Sequence, residues 1–357
     1  MNKIMIIGAG KTGRGYLARL LKESDKEICF VDKDVVLVQK LQEKKNFLIH
    51  FFGKVREDFE VKDYAAVTWE EADFTDTSLI LVSVGGTNLT DVGNALKEKL
   101  IADYHYDIIT CENSSHPAQV LGKAIGEGFD LSISESTVFC TTIETEGTEL
   151  DINSENYPYL QCNADLLPGF VSDMPGIRPL KDFGDFLRRK LYTYNAASCV
   201  LAYLGAIKGY TDYRDAGKNP EILEKLDRNY EMTNKVLCEV YGYDPKDQEE
   251  FSALSRAKFT SQVIVDTIDR NAREPQRKLQ DKERIIGPMK LIYEHGIMPD
   301  VLIETAAAAL LYDKGEVWLE IKKSHTPGEI LKEICNLHPG EVLYEKILKK
   351  FEELRSL

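Results

Sequence analysis

The sequence predicts an α/β protein with an N-terminal domain built on a parallel-sheet core and a mostly α-helical C-terminal domain. Three observations support this fold class. A glycine-rich turn joins a strand to a helix near the N-terminus, strands and helices alternate through the first half, and helical apolar spacing dominates from about residue 181. We therefore assign residues 1–180 to the first domain and 181–357 to the second, since a domain usually spans about 100–200 residues.

The first predicted element is a strand, Lys3–Ile7, followed by a glycine-rich turn and a helix over residues 14–22. Gly8 permits the tight turn, Gly10 lets the backbone approach a pyrophosphate, and Gly13 allows the helix to pack on the strand. Backbone amides at the helix start would hold the phosphates, which adds Lys11 and Thr12 to the cofactor-binding residues. The pattern predicts a Rossmann-type dinucleotide site. The alternative is a turn that needs glycine for its geometry alone.

The second strand, Glu27–Val31, ends at Asp32, nineteen residues after Gly13. An acid at this position hydrogen-bonds the ribose hydroxyls and repels the 2′-phosphate of NADP, so NAD is the favoured cofactor. The nearby cations Lys11, Arg14 and Lys33 leave NADP open. The alternative for Asp32 is a surface acid.

Two further strand–helix units continue the pattern. Ser78–Val84 ends at Gly85 before a helix over 88–100, and Asp107–Cys111 leads to Asn113 before a helix over 117–125. Strands alternating with helices predict crossover connections and a parallel sheet. Gly85 and Asn113 would lie beyond the carboxyl ends of their strands, where such sheets bind ligands.

Other segments complete the predicted architecture. Phe47–Trp69 alternates enough to predict an inserted β-hairpin that turns at Gly53. The second half predicts helices over 182–194, 196–208, 220–241, 245–271, 282–296, 299–311 and a tail of two helices in 328–357 split at Pro339-Gly340.

Composition excludes several functional classes. The chain of 357 residues carries 45 Lys and Arg against 59 Asp and Glu, a net charge of −14, which disfavours nucleic acid and anionic membrane surfaces as partners. Its seven cysteines show no paired spacing, which favours reduced thiols in a cytoplasm. No apolar run approaches the ~20 residues of a membrane span. We expect a cytoplasmic protein without a membrane anchor or a nucleic-acid partner.

The segment from Lys190 to Asn195 resembles the signature of the polyol-specific long-chain dehydrogenases, the mannitol dehydrogenase family, which reads Lys, four residues, Asn, two residues, His. The resemblance covers nearly the whole chain and is closest to the branch that acts on mannitol 1-phosphate. It also rests on Gly8-Ala9-Gly10 with Arg14-Gly15, on Cys111-Glu112-Asn113, on Ala202-Tyr203-Leu204-Gly205 and on Arg273 to Leu279. It implies a Rossmann domain, a helical substrate domain and metal-independent hydride transfer between NAD and a sugar alcohol or its phosphate. It also suggests a monomer or a weak homodimer.

The resemblance assigns roles to three residues. Oxidation of an alcohol needs a base for the hydroxyl proton, and a lysine whose pKa is lowered by burial near cations can serve. Lys190 would be that acid/base, with Asn195 and Asn113 donating amides to the developing alkoxide. On the residues alone, Lys190 could instead be a solvated member of a basic run, Asn195 a satisfied polar residue at a helix junction, and Asn113 the N-cap of the following helix.

A basic cluster is the predicted substrate-binding segment. By resemblance, Arg270 and Lys278 contact substrate hydroxyls, and the additional cations Arg273 and Arg277 suit a substrate phosphate. The alternative is a solvated cationic helix end.

Two positions depart from the family pattern. Ser198 stands where the family carries histidine, and serine is shorter and carries no charge near pH 7. His116 could substitute spatially, although an exposed helix-start residue is the simpler interpretation. Phe139-Cys140 replaces an Asp-Arg pair of the related branch. These changes predict an altered polyol or sugar-acid substrate, or a catalytically impaired NAD-binding sensor.

Overall fold

The structure is a computed structural model that describes residues 3–21, 24–52, 57–261 and 266–356. These residues form two compact units, Met1–Phe183 and Gly184–Leu357. Every strand of the described ranges lies in the first unit, and the regular elements of the second are helices. The predicted fold class is therefore confirmed.

Twelve strands occur in the described part of the first unit. They are β1 (Lys3–Ile7), β2 (Glu27–Val31), β3 (Asn46–Phe51), β4 (Glu57–Lys62), β5 (Tyr64–Val67), β6 (Thr77–Val82), β7 (Tyr106–Thr110), β8 (Leu131–Thr137), β9 (Thr142–Glu144), β10 (Ile152–Ser154), β11 (Leu160–Asn163) and β12 (Ile177–Leu180). Eight of them form one sheet in the order β12-β11-β8-β7-β6-β1-β2-β5, and four form a second sheet in the order β4-β3-β10-β9.

Six consecutive strands of the larger sheet, from the edge strand β5 through β2, β1, β6 and β7 to β8, are all parallel. Their order is that of a Rossmann sheet. From β1 the chain adds β2 and β5 on one side of the sheet and then β6, β7 and β8 on the other side, so the strand order reverses between β1 and β6. The glycine-rich turn follows β1, and Gly85 follows β6. Both segments therefore flank the point at which open α/β sheets bind their ligands. At the far edge, β11 pairs antiparallel with β8 and parallel with β12.

The predicted inserted hairpin exists as β3 and β4, which pair antiparallel from Asn46↔Lys62 to Phe51↔Glu57. Its predicted turn at Gly53 lies outside the described residues. The prediction that the insertion extends to Trp69 is wrong, because β5 pairs with β2 and belongs to the larger sheet. A four-residue strand of sequence Tyr-Ala-Ala-Val carries too little periodic signal to be separated from the hairpin that precedes it.

The smaller sheet packs on the helix that follows the glycine turn. That helix begins with a π-helical turn, Gly13–Leu17, and continues as α1 (Ala18–Leu20). A Cβ on Gly15 would stand 2.3 Å from the Ile152 side chain of β10, so only glycine permits this approach. The insertion thus supports the element that a dinucleotide site requires.

Three more helices cover the faces of the larger sheet: α2 (Val35–Lys44), α3 (Leu89–Lys97) and α4 (Pro117–Ile125). Asp34 caps α2 by accepting hydrogen bonds from the Val36 and Leu37 amides. The buried strand residues and the inward faces of these helices form two apolar clusters, one on each side of the sheet.

The second unit is a helical assembly around α6, whose residues are almost all buried. Its helices are α5 (Phe183–Lys190), α6 (Ala196–Ile207), α7 (Tyr213–Ala216), α8 (Pro220–Tyr241), α9 (Pro245–Thr260), α10 (Ile268–Ala272), α11 (Pro275–Lys278), α12 (Ile286–Glu294), α13 (Asp300–Leu311), α14 (Glu316–Ser324), α15 (Pro327–Glu333) and α16 (Val342–Arg355). The single helix predicted over 245–271 is wrong: α9 ends at Thr260, and Ser261 has extended backbone. None of the helices in the described ranges is both long and apolar enough to cross a membrane.

Candidate active site

A cavity of about 700 Å³ opens in the first unit beside the switch point of the sheet. It is lined by six of the seven predicted cofactor-binding residues, namely Gly8, Gly10, Lys11, Thr12, Asp32 and Gly85, and also by Asn113. The seventh residue, Gly13, lies beneath the turn. The cavity is within the range of about 300–1,000 Å³ common for small-molecule and cofactor sites.

The three glycines of the turn differ in what a side chain would meet. Gly8 has φ +95°, and a Cβ there would stand 2.1 Å from the Ser83 carbonyl oxygen. A Cβ on Gly13 would stand 2.0 Å from the Gly8 oxygen. A Cβ on Gly10 would meet nothing within 4 Å, since the open space there is the cavity. Gly8 and Gly13 are therefore required by the close packing of the backbone around the turn, whereas Gly10 leaves room for a ligand.

Asp32 is held in place by main-chain amides. Its Oδ2 accepts a hydrogen bond from the Ala9 amide at 2.7 Å, and its Oδ1 accepts one from the Asp34 amide at 3.0 Å. Arg14 is buried and turns away from the cavity, because its Nη1 donates to the Ala9 carbonyl and its Nε donates to the Leu150 carbonyl at 3.2 Å. Among the cations near Asp32, only Lys11 and Lys33 line the cavity.

Glu112 organises the other end of the cavity. Its Oε1 accepts hydrogen bonds from the Val84 and Gly85 amides, both at 2.7 Å, and this fixes the loop after β6. Burial raises the pKa of Glu112, and the two amide bonds oppose that shift. The resemblance includes Glu112 in the motif Cys111-Glu112-Asn113 but gave it no role, although its place between a buried strand and Asn113 was a usable signal.

Asn113 is tied to the end of β8. Its Nδ2 donates to the Val138 carbonyl at 2.9 Å, and its Oδ1 accepts from the Val138 amide at 3.2 Å. The alternative that Asn113 caps the next helix is wrong, because His116 occupies the N-cap of α4. His116 is exposed, has φ +47° and does not line the cavity, so its simpler interpretation stands.

The two apolar residues that depart from the family pattern are packed into the unit. Phe139 stacks on Tyr157 with ring centroids 5.0 Å apart. The Cys140 thiol lies 3.2 Å from the Ser154 hydroxyl and 3.0 Å from the Glu155 carbonyl, and Cys140 lines the cavity wall. Aromatic stacking and thiol contacts thus occupy the place of the expected polar pair.

In the second unit, a π-helical turn carries the predicted catalytic segment. It spans Leu191–Asn195 between α5 and α6, and Lys190 immediately precedes it. Residues five apart in an α-helix are turned by about 140° from one another. A π-helical turn instead bonds residue i to i+5, so Lys190 and Asn195 lie one above the other. The Asn195 side chain is partly buried and makes no hydrogen bond within the described ranges.

Buried polar contacts hold this turn. Gln248 of α9 accepts a hydrogen bond from the Arg189 Nε at 2.6 Å and donates to the Thr193 hydroxyl at 3.2 Å and to the Asn234 Oδ1 at 2.8 Å. Arg189 also pairs with Asp247 at 2.8 Å. Arg189 and Gln248 are buried and satisfied, so Arg189 is not a solvated residue, whereas Arg188 is exposed.

The Lys190 side chain is partly buried, and its pKa is shifted toward neutral. Burial, the largest cause, lowers the pKa of Lys190 from 10.5 to about 7, and Lys258 and Arg284 act in the same direction. The alternative of a solvated lysine does not fit this environment.

Ser198 is engaged by a tyrosine. The Tyr213 hydroxyl lies 3.2 Å from the Ser198 Oγ and donates to its carbonyl at 3.3 Å. Burial raises the pKa of Tyr213 well above its usual value, so it stays a neutral phenol. The position of the family histidine thus holds a neutral hydroxyl pair.

The four cations of the predicted basic cluster differ in their exposure and in their partners. The Arg270 side chain is 65% exposed and pairs with Asp266, Arg277 pairs with Glu274, and Arg273 is exposed. Lys278 is buried: its Nζ donates to the Asn271 carbonyl and lies 5.7 Å from the Tyr203 ring centroid. Burial lowers the pKa of Lys278 to about 8 against the opposing effect of Cys199, and Arg284 lowers it further.

Arg284 is the residue of this unit that sequence reasoning missed. It lies six residues after Lys278, and it repels both Lys190 and Lys278. Its only sequence signal was a position at the end of a charged stretch, Arg277 to Arg284, which does not distinguish it from a surface cation.

Two family models match the chain: the mannitol dehydrogenase Rossmann domain over residues 2–143 and the mannitol dehydrogenase C-terminal domain over residues 182–318. The mannitol-1-phosphate 5-dehydrogenase of Caldanaerobacter subterraneus subsp. tengcongensis is 27% identical over 100% of this chain and 99% of its own length. That of Bacillus pumilus is 28% identical over 98% of this chain and 99% of its own.

Solved structures share the fold at low identity. A D-sorbitol dehydrogenase in substrate-free form matches with a TM-score of 0.79 at 14% identity, covering 99% of this chain and 93% of that chain. The mannitol 2-dehydrogenase of Pseudomonas fluorescens, in a ternary complex with NAD and D-mannitol, matches with a TM-score of 0.64 at 14% identity, covering 99% and 91%.

Proposed function

The chain belongs to the mannitol dehydrogenase family, and we propose that it is an NAD-dependent dehydrogenase that interconverts a sugar-alcohol phosphate and its keto-sugar. The first unit supplies the cofactor pocket and the second supplies the acid/base. The observation that carries the proposal is Lys190, a lysine whose pKa is lowered to about 7 at the start of a π-helical turn. Perturbed lysines of this kind cluster at functional sites.

The fit of the first unit to NAD rests on three features. The open space at Gly10 accommodates a pyrophosphate beside the backbone amides at the helix start. Asp32 is fixed by the Ala9 and Asp34 amides where a ribose would lie, and Arg14 is turned inward rather than toward a 2′-phosphate. We therefore favour NAD over NADP.

In this proposal, residues of the second unit transfer the hydroxyl proton of the alcohol. Bound NAD supplies a hydride acceptor for the carbon-bound hydrogen. As the alcohol is oxidised, Lys190 Nζ accepts the hydroxyl proton, and in the reverse direction it donates that proton to the ketone oxygen. The Asn195 amide donates to the developing alkoxide, a contact that contributes about 3 kcal/mol in comparable oxyanion sites. A pKa of about 7 gives Lys190 similar populations of both forms near neutral pH.

The test is reduction of NAD with a panel of polyols, sugar acids and their phosphates. Lys190→Ala should lower turnover by about 10²- to 10⁴-fold while NAD binding, measured by calorimetry, stays unchanged. Lys218→Ala is the matched control, because Lys218 is an exposed lysine paired with Asp215 in the same unit. Unchanged turnover in Lys190→Ala would refute the assignment.

A second candidate, a catalytically impaired NAD-binding sensor, is favoured by Ser198. The Tyr213 hydroxyl fills the space beside the Ser198 Oγ, so an imidazole at this position needs the room that Tyr213→Phe provides. The sensor predicts NAD binding without turnover on the whole panel. Gain of polyol turnover in a Ser198→His, Tyr213→Phe double variant would show that only the histidine is missing.

A further inference from the structure

We propose that Arg284 anchors the phosphate group of the substrate, so that the site of the second unit selects a phosphomonoester of a linear polyol. This inference rests on the proposed function and names a residue for its specificity. It shifts phosphate binding away from Arg273 and Arg277, which the sequence favoured.

Arg284 has a guanidinium with donors to spare. Its side chain is 16% exposed, and its Nε donates to Glu283 at 2.9 Å. Within the described ranges, its Nη1 and Nη2 groups make no hydrogen bond. A guanidinium fork of this kind binds a phosphate through two parallel hydrogen bonds, which an ammonium group cannot reproduce.

The segment that begins at Arg284 and leads into α12 packs against the π-helical turn Leu191–Asn195. A Cβ on Gly287, the second residue of α12, would stand 2.5 Å from the Tyr192 hydroxyl, and Tyr192 belongs to the π-helical turn after Lys190. On its other side, the segment follows α11, whose Lys278 is buried against Tyr203. The repulsion that Arg284 exerts on the Lys190 and Lys278 ammonium groups agrees with this arrangement.

The other arginines that could bind the substrate phosphate are more exposed than Arg284. Arg270 pairs with Asp266 and Arg277 pairs with Glu274, both at exposed positions where an ion pair contributes little to ligand discrimination. Arg273 is exposed. Arg284 is the more buried cation, and its surroundings strengthen its attraction for an anion.

Charge balance favours a dianion at this site. Arg284 repels both Lys190 and Lys278, and Glu283 is the acid paired with Arg284. A phosphate monoester carries about −1.5 to −2 charges at pH 7 and would relieve this repulsion. The same binding event would stabilise the protonated form of Lys190. Profiles of kcat, which report the enzyme–substrate complex, should therefore titrate at higher pH than profiles of kcat/KM for a phosphorylated substrate.

The experiment compares mannitol 1-phosphate with mannitol, using Arg284→Gln, Arg284→Lys and the control Arg228→Gln, which removes an exposed arginine paired with Asp300. We expect Arg284→Gln to lower kcat/KM for the phosphorylated substrate about 10- to 100-fold more than for the neutral one. Arg284→Lys should recover only part of that loss. Equal losses on both substrates would overturn the proposal, since they would indicate a general electrostatic or structural role. Melting temperatures identify a variant that does not fold.

Binding of inorganic phosphate to the full chain, measured by calorimetry, separates this proposal from the function. If the wild type oxidises neither substrate, the proposed function fails, yet phosphate binding that weakens at least about tenfold in Arg284→Gln still supports the anchor. Wild-type protein that binds no phosphate, or a variant that binds it equally well, would contradict the anchor.

Discussion

The cofactor pocket of the first unit is made largely of backbone, whereas the candidate site of the second unit is made of charged side chains. Around Gly8, Gly10 and Gly13, missing Cβ atoms create the turn and the space. Lys190, in contrast, lies near other cations, and Lys258 and Arg284 are close enough to repel its ammonium group. A site formed by missing side chains is compatible with a stable fold, but positive charges that are buried together destabilise a protein. Substitutions in the two units should therefore have opposite effects on stability.

Gly8→Ala should have the largest effect. The new Cβ would stand 2.1 Å from the Ser83 carbonyl at a backbone angle that favours glycine, so we expect more than about 4 kcal/mol of destabilisation of the first unit. Gly147→Ala is the control, because Gly147 has φ +78° but nothing within 4 Å of its Cβ position. Chemical denaturation measures both. Similar losses in the two variants would mean that the backbone angle, rather than the contact with Ser83, explains the effect.

Lys190→Met should abolish turnover and stabilise the second unit. The folded pKa of Lys190, about 7, lies below that of an unfolded lysine, so the unfolded chain binds more protons between pH 7 and about 10.5, and the native state is penalised at and below neutral pH. We expect a gain of about 4 kcal/mol near pH 7 that shrinks toward pH 10.5. Denaturant titrations at several pH values test this. A destabilised variant at pH 7 would show that Lys190 is not a strained group, and Lys218→Met provides the exposed control.

The pH dependence of activity should follow the same lysine. Polyol oxidation needs neutral Lys190, so kcat/KM should rise about tenfold per pH unit below pH 7 and level off above it. Ketose reduction needs the protonated form and should decline above pH 7. Rate profiles in both directions measure this, with NAD binding followed in parallel. A midpoint near 10 would place Lys190 in a solvated environment and remove the contrast between the two units.

Gly10→Ala should have the smallest effect. Its Cβ meets no atom within 4 Å, so the fold should persist, but the methyl group occupies cavity space. We expect NAD affinity to fall about tenfold, near 1.4 kcal/mol, with turnover at saturation unchanged. Gly184→Ala is the control, since its Cβ also meets nothing and Gly184 does not line the cavity. Unchanged affinity in Gly10→Ala would indicate that the ligand does not approach this backbone.

The elements that the sequence predicted well have strong local patterns. The bounds of β1, β2, α4 and α8 coincide with prediction, because apolar runs, Pro at the first helical position and Gly after the last mark them directly. The elements between residues 131 and 180 were not predicted. β9 and β10 are three residues long, and their partners lie far along the chain, as in the pairing of Ile152 with Ile49. Such short strands depend on tertiary pairing more than on local propensity.

By itself, the sequence determined the Rossmann turn, the acid at Asp32 and the alternation of strands and helices. These features are encoded by residues close together in the chain, where steric rules act directly. The role of Lys190 as the base was predicted only through the family resemblance. Tertiary structure alone decided that Lys190 is partly buried near Lys258 and Arg284, that Arg270 and Arg277 pair with Asp266 and Glu274, and that Tyr213 contacts Ser198. Electrostatic interactions depend on distance in space and on burial, and neither is set by spacing along the chain.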